Sequence, residues 1–171
     1  MTQQPPSDEK SRWRLAASAD VRLQAQLTAA VAADQRALVL AGLLGAVVVA
    51  LGGGAASALT NKDDGDNVLG LIALATGIEF IFAMACAVIA ARPTAFFLAG
   101  ATPKHWAKDL ATGKPEIDQV TELLLDYDDR IRANDRVMNI NGWWLFASAL
   151  IALCGLAVSA VVLTVHLIWF T

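Results

Sequence analysis

The sequence predicts an all-α integral membrane protein with three transmembrane helices, the first and third prolonged by helical extensions on the cytoplasmic side. Three observations carry this expectation. Hydrophobic residues fill 56% of the 171 positions and mean hydropathy is +0.51, a composition unusual for a soluble domain. The apolar residues are clustered: stretches 37–61, 68–91 and 137–171 hold no Asp, Glu, Lys or Arg other than Glu79. Each exceeds the roughly 20 residues that carry a helix across about 30 Å of hydrocarbon. Finally, twelve of the 13 Lys and Arg residues fall before the first stretch or between the second and third. The positive-inside rule makes that side cytoplasmic, with the N-terminus in and the C-terminus out.

Residues 1–36 are expected to form an N-terminal tail followed by a cytoplasmic amphipathic helix. "MTQQPPSDEK" has two prolines and no apolar period, and the helix is expected from about Ser11. Leu23, Leu27 and Val31, flanked by Ala30 and Ala33, supply its apolar stripe. No Gly or Pro follows until Gly42, so the helix should run without a break into the first span, 37–60. The first apolar run starts too late, behind too mixed a charge set, for a cleavable signal peptide. Within that span Gly42, Ala46, Ala50 and Gly54 recur every four residues, with Gly45 beside them. Small residues at this spacing let helix backbones approach closely, which favours association where lipid supplies no hydrophobic drive.

A short extracytoplasmic loop, 61–67, leads to the second span, 68–91. Glu79 lies at its centre, where a charged side chain costs roughly 2.5–3.5 kcal/mol on insertion scales and therefore faces protein or water. Thr76, Glu79, Ala83, Cys86 and Ala90 share one small, weakly polar strip of the helix. Three roles stay open for Glu79: a neutral group bonded to a neighbouring helix, a lumen-lining group, or a proton-translocating site. Ser57, Ser148, Ser159 or the Glu79 of a second copy are its candidate partners.

The connector 92–141 begins with a stretch rich in Pro, Gly and aromatic residues, expected to lie against the membrane interface. Its basic–aromatic cluster Lys104, His105, Trp106 and Lys108 suits lipid headgroups. A helix resumes at Glu116 after Pro115, and Ile117, Val120, Leu124, Tyr127, Ile131, Asn134 and Met138 recur in steps of three and four. Asn134 is the one polar member of this seam. The helix should continue into the third span, 142–169, with Trp143, Trp144 and Trp169 as interfacial anchors. Both long helices enter the membrane from the same side, so they are expected to pair in parallel. Stretches 32–46 and 132–146 align at an offset of 100, which sets Asp34 opposite Asn134. Asp34, Arg36, Asn134, Asp135 and Arg136 then form a polar collar before two membrane entries, a candidate gate, sensor or register lock.

No Gly-rich phosphate loop, Cys-x-x-Cys, His-Glu-x-x-His or Gly-x-Ser-x-Gly pattern occurs. Cys86 and Cys154 lie inside spans as small packing residues, and His105 and His166 fall on opposite sides of the expected membrane. No catalytic residue, metal, cofactor, DNA or RNA is therefore expected.

"VAADQRALVLAGLLGAVVVALGG", with its Asp34-Gln35-Arg36 triplet feeding an Ala/Leu/Gly-rich span, resembles the Pycsar transmembrane effector family of bacterial cyclic-nucleotide antiphage systems and, more loosely, SLATT-type membrane effectors. "IRANDRVMNINGWWLFASALIALCGL" adds to the likeness; together these stretches cover under a third of the chain. The resemblance implies an inner-membrane protein held inactive until infection, then oligomerising to breach the bilayer. The chain shows no separate nucleotide-sensing segment, so the expected trigger is either a nucleotide signal or a cytoplasmic protein partner. The residues alone support a homo-oligomeric membrane protein whose cytoplasmic helices pass a signal to the bilayer. A proton- or ion-coupling accessory subunit using Glu79 and a non-catalytic scaffold are the competing expectations.

Overall fold

Long runs of Ala, Leu, Val and charged residues without an internal proline favour helix over any other backbone state. The structure, a computed structural model, describes residues 7–60, 66–100, 107, 109 and 111–170, and regular structure among them is helical. Helix α1 spans Ser7–Thr60, α2 Asp66–Ala90 and α3 Glu116–Phe170. Among the described residues, these three helices are, by length and composition, long and apolar enough to cross a membrane.

Three boundaries differ from the sequence expectation. Helix α1 starts at Ser7, four residues early. Helix α2 begins at Asp66 and ends at Ala90, where Arg92 and Pro93 stop it. Helix α3 starts as expected: the Pro115 carbonyl accepts the first turn's amides from Asp118 (3.0 Å) and Gln119 (3.2 Å), and Glu116 and Asp118 sit at the positive end of the dipole.

The chain divides into two compact units. The first combines α1 up to Ala32 with Thr94–Asn139, and the second combines Ala33–Pro93 with Ile140–Thr171. In the first unit α1 and α3 run parallel, since their bonded pairs rise together: Arg12 with Thr121 (2.5 Å), Asp20 with Tyr127 (3.0 Å) and Gln26 with Asn134 (3.3 Å). Leu23, Tyr127 and Ile131 form its buried cluster, with Ala19, Ala99 and Leu123 packed on it. The expected seam of α3 is real: Val120, Tyr127, Ile131 and Asn134 are buried, and Ile117, Leu124 and Met138 half-buried. The stripe expected on α1 is displaced. Ala16, Leu23, Gln26 and Ala30 face inward, whereas Leu27 and Val31 are exposed, because the inward positions follow a heptad that passes through Gln26.

In the second unit α2 runs antiparallel to both long helices. A Cβ built on Gly45 would meet Met84, one on Gly77 would meet Leu51, and one on Gly70 would fall 2.8 Å from Leu59 Cγ and 3.3 Å from Ala58 Cβ. Position 70 therefore needs glycine for the close approach of α1 and α2. Leu44, Phe80 and Ala83 form the buried cluster, with Val48, Met84, Ile151 and Ala152 among the residues packed against it.

Candidate functional site

Polar groups concentrate in two places, one in each unit. In the second unit they line the contact between α2 and α3. Ser148, fully buried, donates from Oγ to the Ala83 carbonyl at 2.7 Å. Two turns away on α2, the Thr76 hydroxyl donates to the Ile72 carbonyl at 2.8 Å and meets Ser159 Oγ at 2.5 Å. A hydroxyl carries one proton, so Thr76 accepts from Ser159. Between these two bonds lies Glu79, half-buried, with its carboxyl over Gly155: a Cβ on Gly155 would overlap Glu79 Oε2. Two of the expected partners thus lie along this seam, Ser159 joined to Thr76 and Ser148 to a backbone carbonyl, while Ser57 is exposed.

The buried strip of α2 also differs from the expected one. Thr76, Phe80, Ala83, Ala87 and Ala90 are buried; Glu79 and Cys86 lie on its edge. Thr76 and Glu79 are the polar residues in the middle of an otherwise apolar helix, too little contrast to fix its rotation from sequence, and in the structure Ser148 and Gly155 of α3 face it.

Helix α1 divides its small residues between two faces. Ala37, Ala41, Leu44 and Ala55 are buried, and Gly45 packs toward Met84. Gly42, Ala46, Ala50 and Gly54 all lie on the opposite, exposed face, and a Cβ on Gly42 or Gly54 would meet nothing within 4 Å. Among the described residues, none covers the four-residue ladder.

The second polar centre, in the first unit, is built around Asn134, which is 1% exposed. Its Oδ1 accepts from the Phe97 amide at 3.0 Å, its Nδ2 donates to the Phe97 carbonyl at 3.1 Å, and Nδ2 also donates to Gln26 Oε1 at 3.3 Å. Gln26 donates in turn to Asp135 Oδ1 (2.7 Å) and the Ile131 carbonyl (3.2 Å), and Arg22 pairs with Asp135 at 3.8 Å. The non-helical strap 94–100 is secured further by Tyr127, whose hydroxyl accepts from the Gly100 amide (2.9 Å) and donates to Asp20 (3.0 Å). Arg130 donates to the Leu98 and Gly100 carbonyls, both at 2.9 Å. Gly100 has φ +90°, a left-handed backbone that glycine adopts without a steric cost.

The expected collar is therefore only partly assembled as anticipated. Asn134 and Asp135 meet around Gln26, eight residues before Asp34, because the paired helices are in register at an offset near 108 and not the 100 of the internal echo. Arg136 is exposed. Asp34 and Arg36 belong to the second unit; Arg36 is exposed, and burial pushes the Asp34 carboxyl above its usual range. Trp143, Trp144 and Trp169 are all exposed, Trp143 stacked edge-on with Phe146 at 5.8 Å. Lys104, His105, Trp106 and Lys108 lie outside the described residues, as do 61–65 of the expected extracytoplasmic loop.

Gln26, the Phe97 backbone and Gly155 were missed by sequence reasoning. Gly155 had a signal: the α3 seam, extended by heptads from Asn134, passes through Asn141, Ser148 and Gly155, all buried. Comparison of the chain with protein-family models, with curated proteins and with solved structures found no match.

Proposed function

We propose that this chain is a bacterial inner-membrane protein, N-terminus cytoplasmic and C-terminus extracytoplasmic, that self-associates through one face of α1 and perturbs the bilayer as the effector of a defence system. The supporting observation is the Gly42–Ala46–Ala50–Gly54 ladder, exposed along its whole length while the other face of α1 is packed. A groove this shallow is matched by an identical groove, since two such faces bring backbones into contact and add dispersion and Cα–H···O contacts that lipid chains do not reproduce. The resemblance to the Pycsar transmembrane effector family supports the same reading. The parallel α1–α3 pair and its strap are the part that would receive a cytoplasmic protein or nucleotide signal.

A second reading, an ion- or proton-coupling accessory subunit, is favoured by Glu79 lying between the Ser148 and Ser159 bonds at mid-helix. One experiment separates the two. The chain is expressed from an inducible promoter in a bacterial host, and membrane potential is followed with a voltage-sensitive dye. Effector function predicts collapse of the potential by the wild type, protection by Ala50→Leu in the ladder, and undiminished collapse by Leu153→Ala on an exposed face of α3. A potential untouched by the wild type under every trigger tried contradicts the effector reading. Loss of the effect in Glu79→Gln with its retention in Ala50→Leu favours ion coupling.

A further inference from the structure

Gly155 is buried on α3 where α3 runs antiparallel to α2. A Cβ placed on it would overlap Glu79 Oε2 and come within 3.3 Å of Cδ and 3.4 Å of Cβ of the same side chain. The Glu79 carboxyl thus fills the space that any other residue at 155 would claim. Bonds on both sides hold the two helices in place around it: Ser148 to the Ala83 carbonyl at 2.7 Å, and Thr76 to Ser159 at 2.5 Å.

We propose that Gly155 is the positioning residue for Glu79: it holds the carboxyl in the α2–α3 seam, and a side chain at 155 turns that carboxyl outward, toward lipid or a neighbouring copy. The reason is mechanical. The main overlap is with the far end of a side chain that has three rotatable bonds, whereas parting α2 from α3 would break one buried and one part-buried hydrogen bond and the packing of Ala83. The carboxyl therefore yields and the helices stay. Small-to-large change at one glycine becomes a change in where the mid-helix carboxyl points. This rests on α2 and α3 being membrane spans and is independent of the effector reading.

The test uses the full chain purified into phosphatidylcholine vesicles and the lipophilic reagent dicyclohexylcarbodiimide. The neutral carboxylic acid adds across one C=N bond, its oxygen to the central carbon and its proton to nitrogen. An O-to-N acyl shift then leaves a stable N-acylurea, and no co-reactant is consumed. Mass spectrometry follows labelling of the peptide that contains Glu79. Gly155→Ala is expected to label severalfold faster than the wild type, Leu156→Ala at the wild-type rate, and Glu79→Gln not at all at this position. Equal rates for Gly155→Ala and the wild type would overturn the proposal. If Gly155→Ala loses helix content by circular dichroism, shortening the opposing side chain with Glu79→Ala must restore it, and failure to restore it overturns the proposal equally. The membrane reading is judged separately, by reagent: labelling of Glu79 by a water-soluble carbodiimide as fast as by the lipophilic one would refute the span, while the ratio between variants still reports the seat.

Discussion

Asn134 illustrates how one side chain can hold an irregular segment. Its amide matches the Phe97 N–H and C=O together, as a neighbouring strand would, and it adds a third bond to Gln26. Asn134→Ala leaves those three groups without their partner, the Gln26 oxygen in a buried site and the Phe97 groups in a part-buried one, a cost of roughly 1–3 kcal/mol. Thermal unfolding in detergent should shift down accordingly, and limited proteolysis should cut within 94–100 faster than in the wild type; a strap equally resistant in both would show that Asn134 does not secure it. Tyr127 adds a pH dependence. Burial, and then the bond to Asp20, raise its phenol above the ordinary value of 10.0, with the Gly100 amide acting in the opposite sense. The unfolded chain releases that proton first, so the stabilisation by the hydroxyl is complete below about pH 10 and is lost as pH rises through the higher folded value.

At the scale of elements, the periodic parts of the fold were legible and the aperiodic parts were not. The steps of three and four from Ile117 to Met138 describe the observed seam of α3, because charged residues on the outer face give the pattern contrast. Along the middle of α2 only Thr76 and Glu79 break a nearly uniform apolar surface, so the strip expected through Cys86 turned out to pass through Phe80 and Ala87. The strap 94–100 has no period at all: its order comes from side chains 27 or more residues away, which no local pattern encodes. Sequence also showed that α1 carries a small-residue ladder, but only packing shows which face is covered. The α2–α3 contact depends on small residues at closest approach, Ala83 and Ser148 both being 0% exposed. Ala83→Leu must force the helices apart and strip the Ser148 bond, destabilising the second unit by about 1–3 kcal/mol. A melting temperature in detergent unchanged from the wild type would show that this contact is not close-packed.

Across the whole molecule, both units use the same two long helices and differ in what completes them: the strap 94–100 in one, α2 in the other. Apolar side chains are exposed along all three candidate spans, with only 17%, 22% and 11% of their most apolar windows buried. In a membrane that surface faces lipid, except where a second copy covers it. The ladder on α1 is where the reading places that copy, and cysteine crosslinking tests it most directly. In a background with Cys86 and Cys154 replaced by alanine, Ala50→Cys in native membranes should form a covalent dimer on mild oxidation, whereas Leu153→Cys on α3 should not. Ala50→Cys remaining monomeric, or both positions crosslinking equally, would contradict self-association through this face of α1.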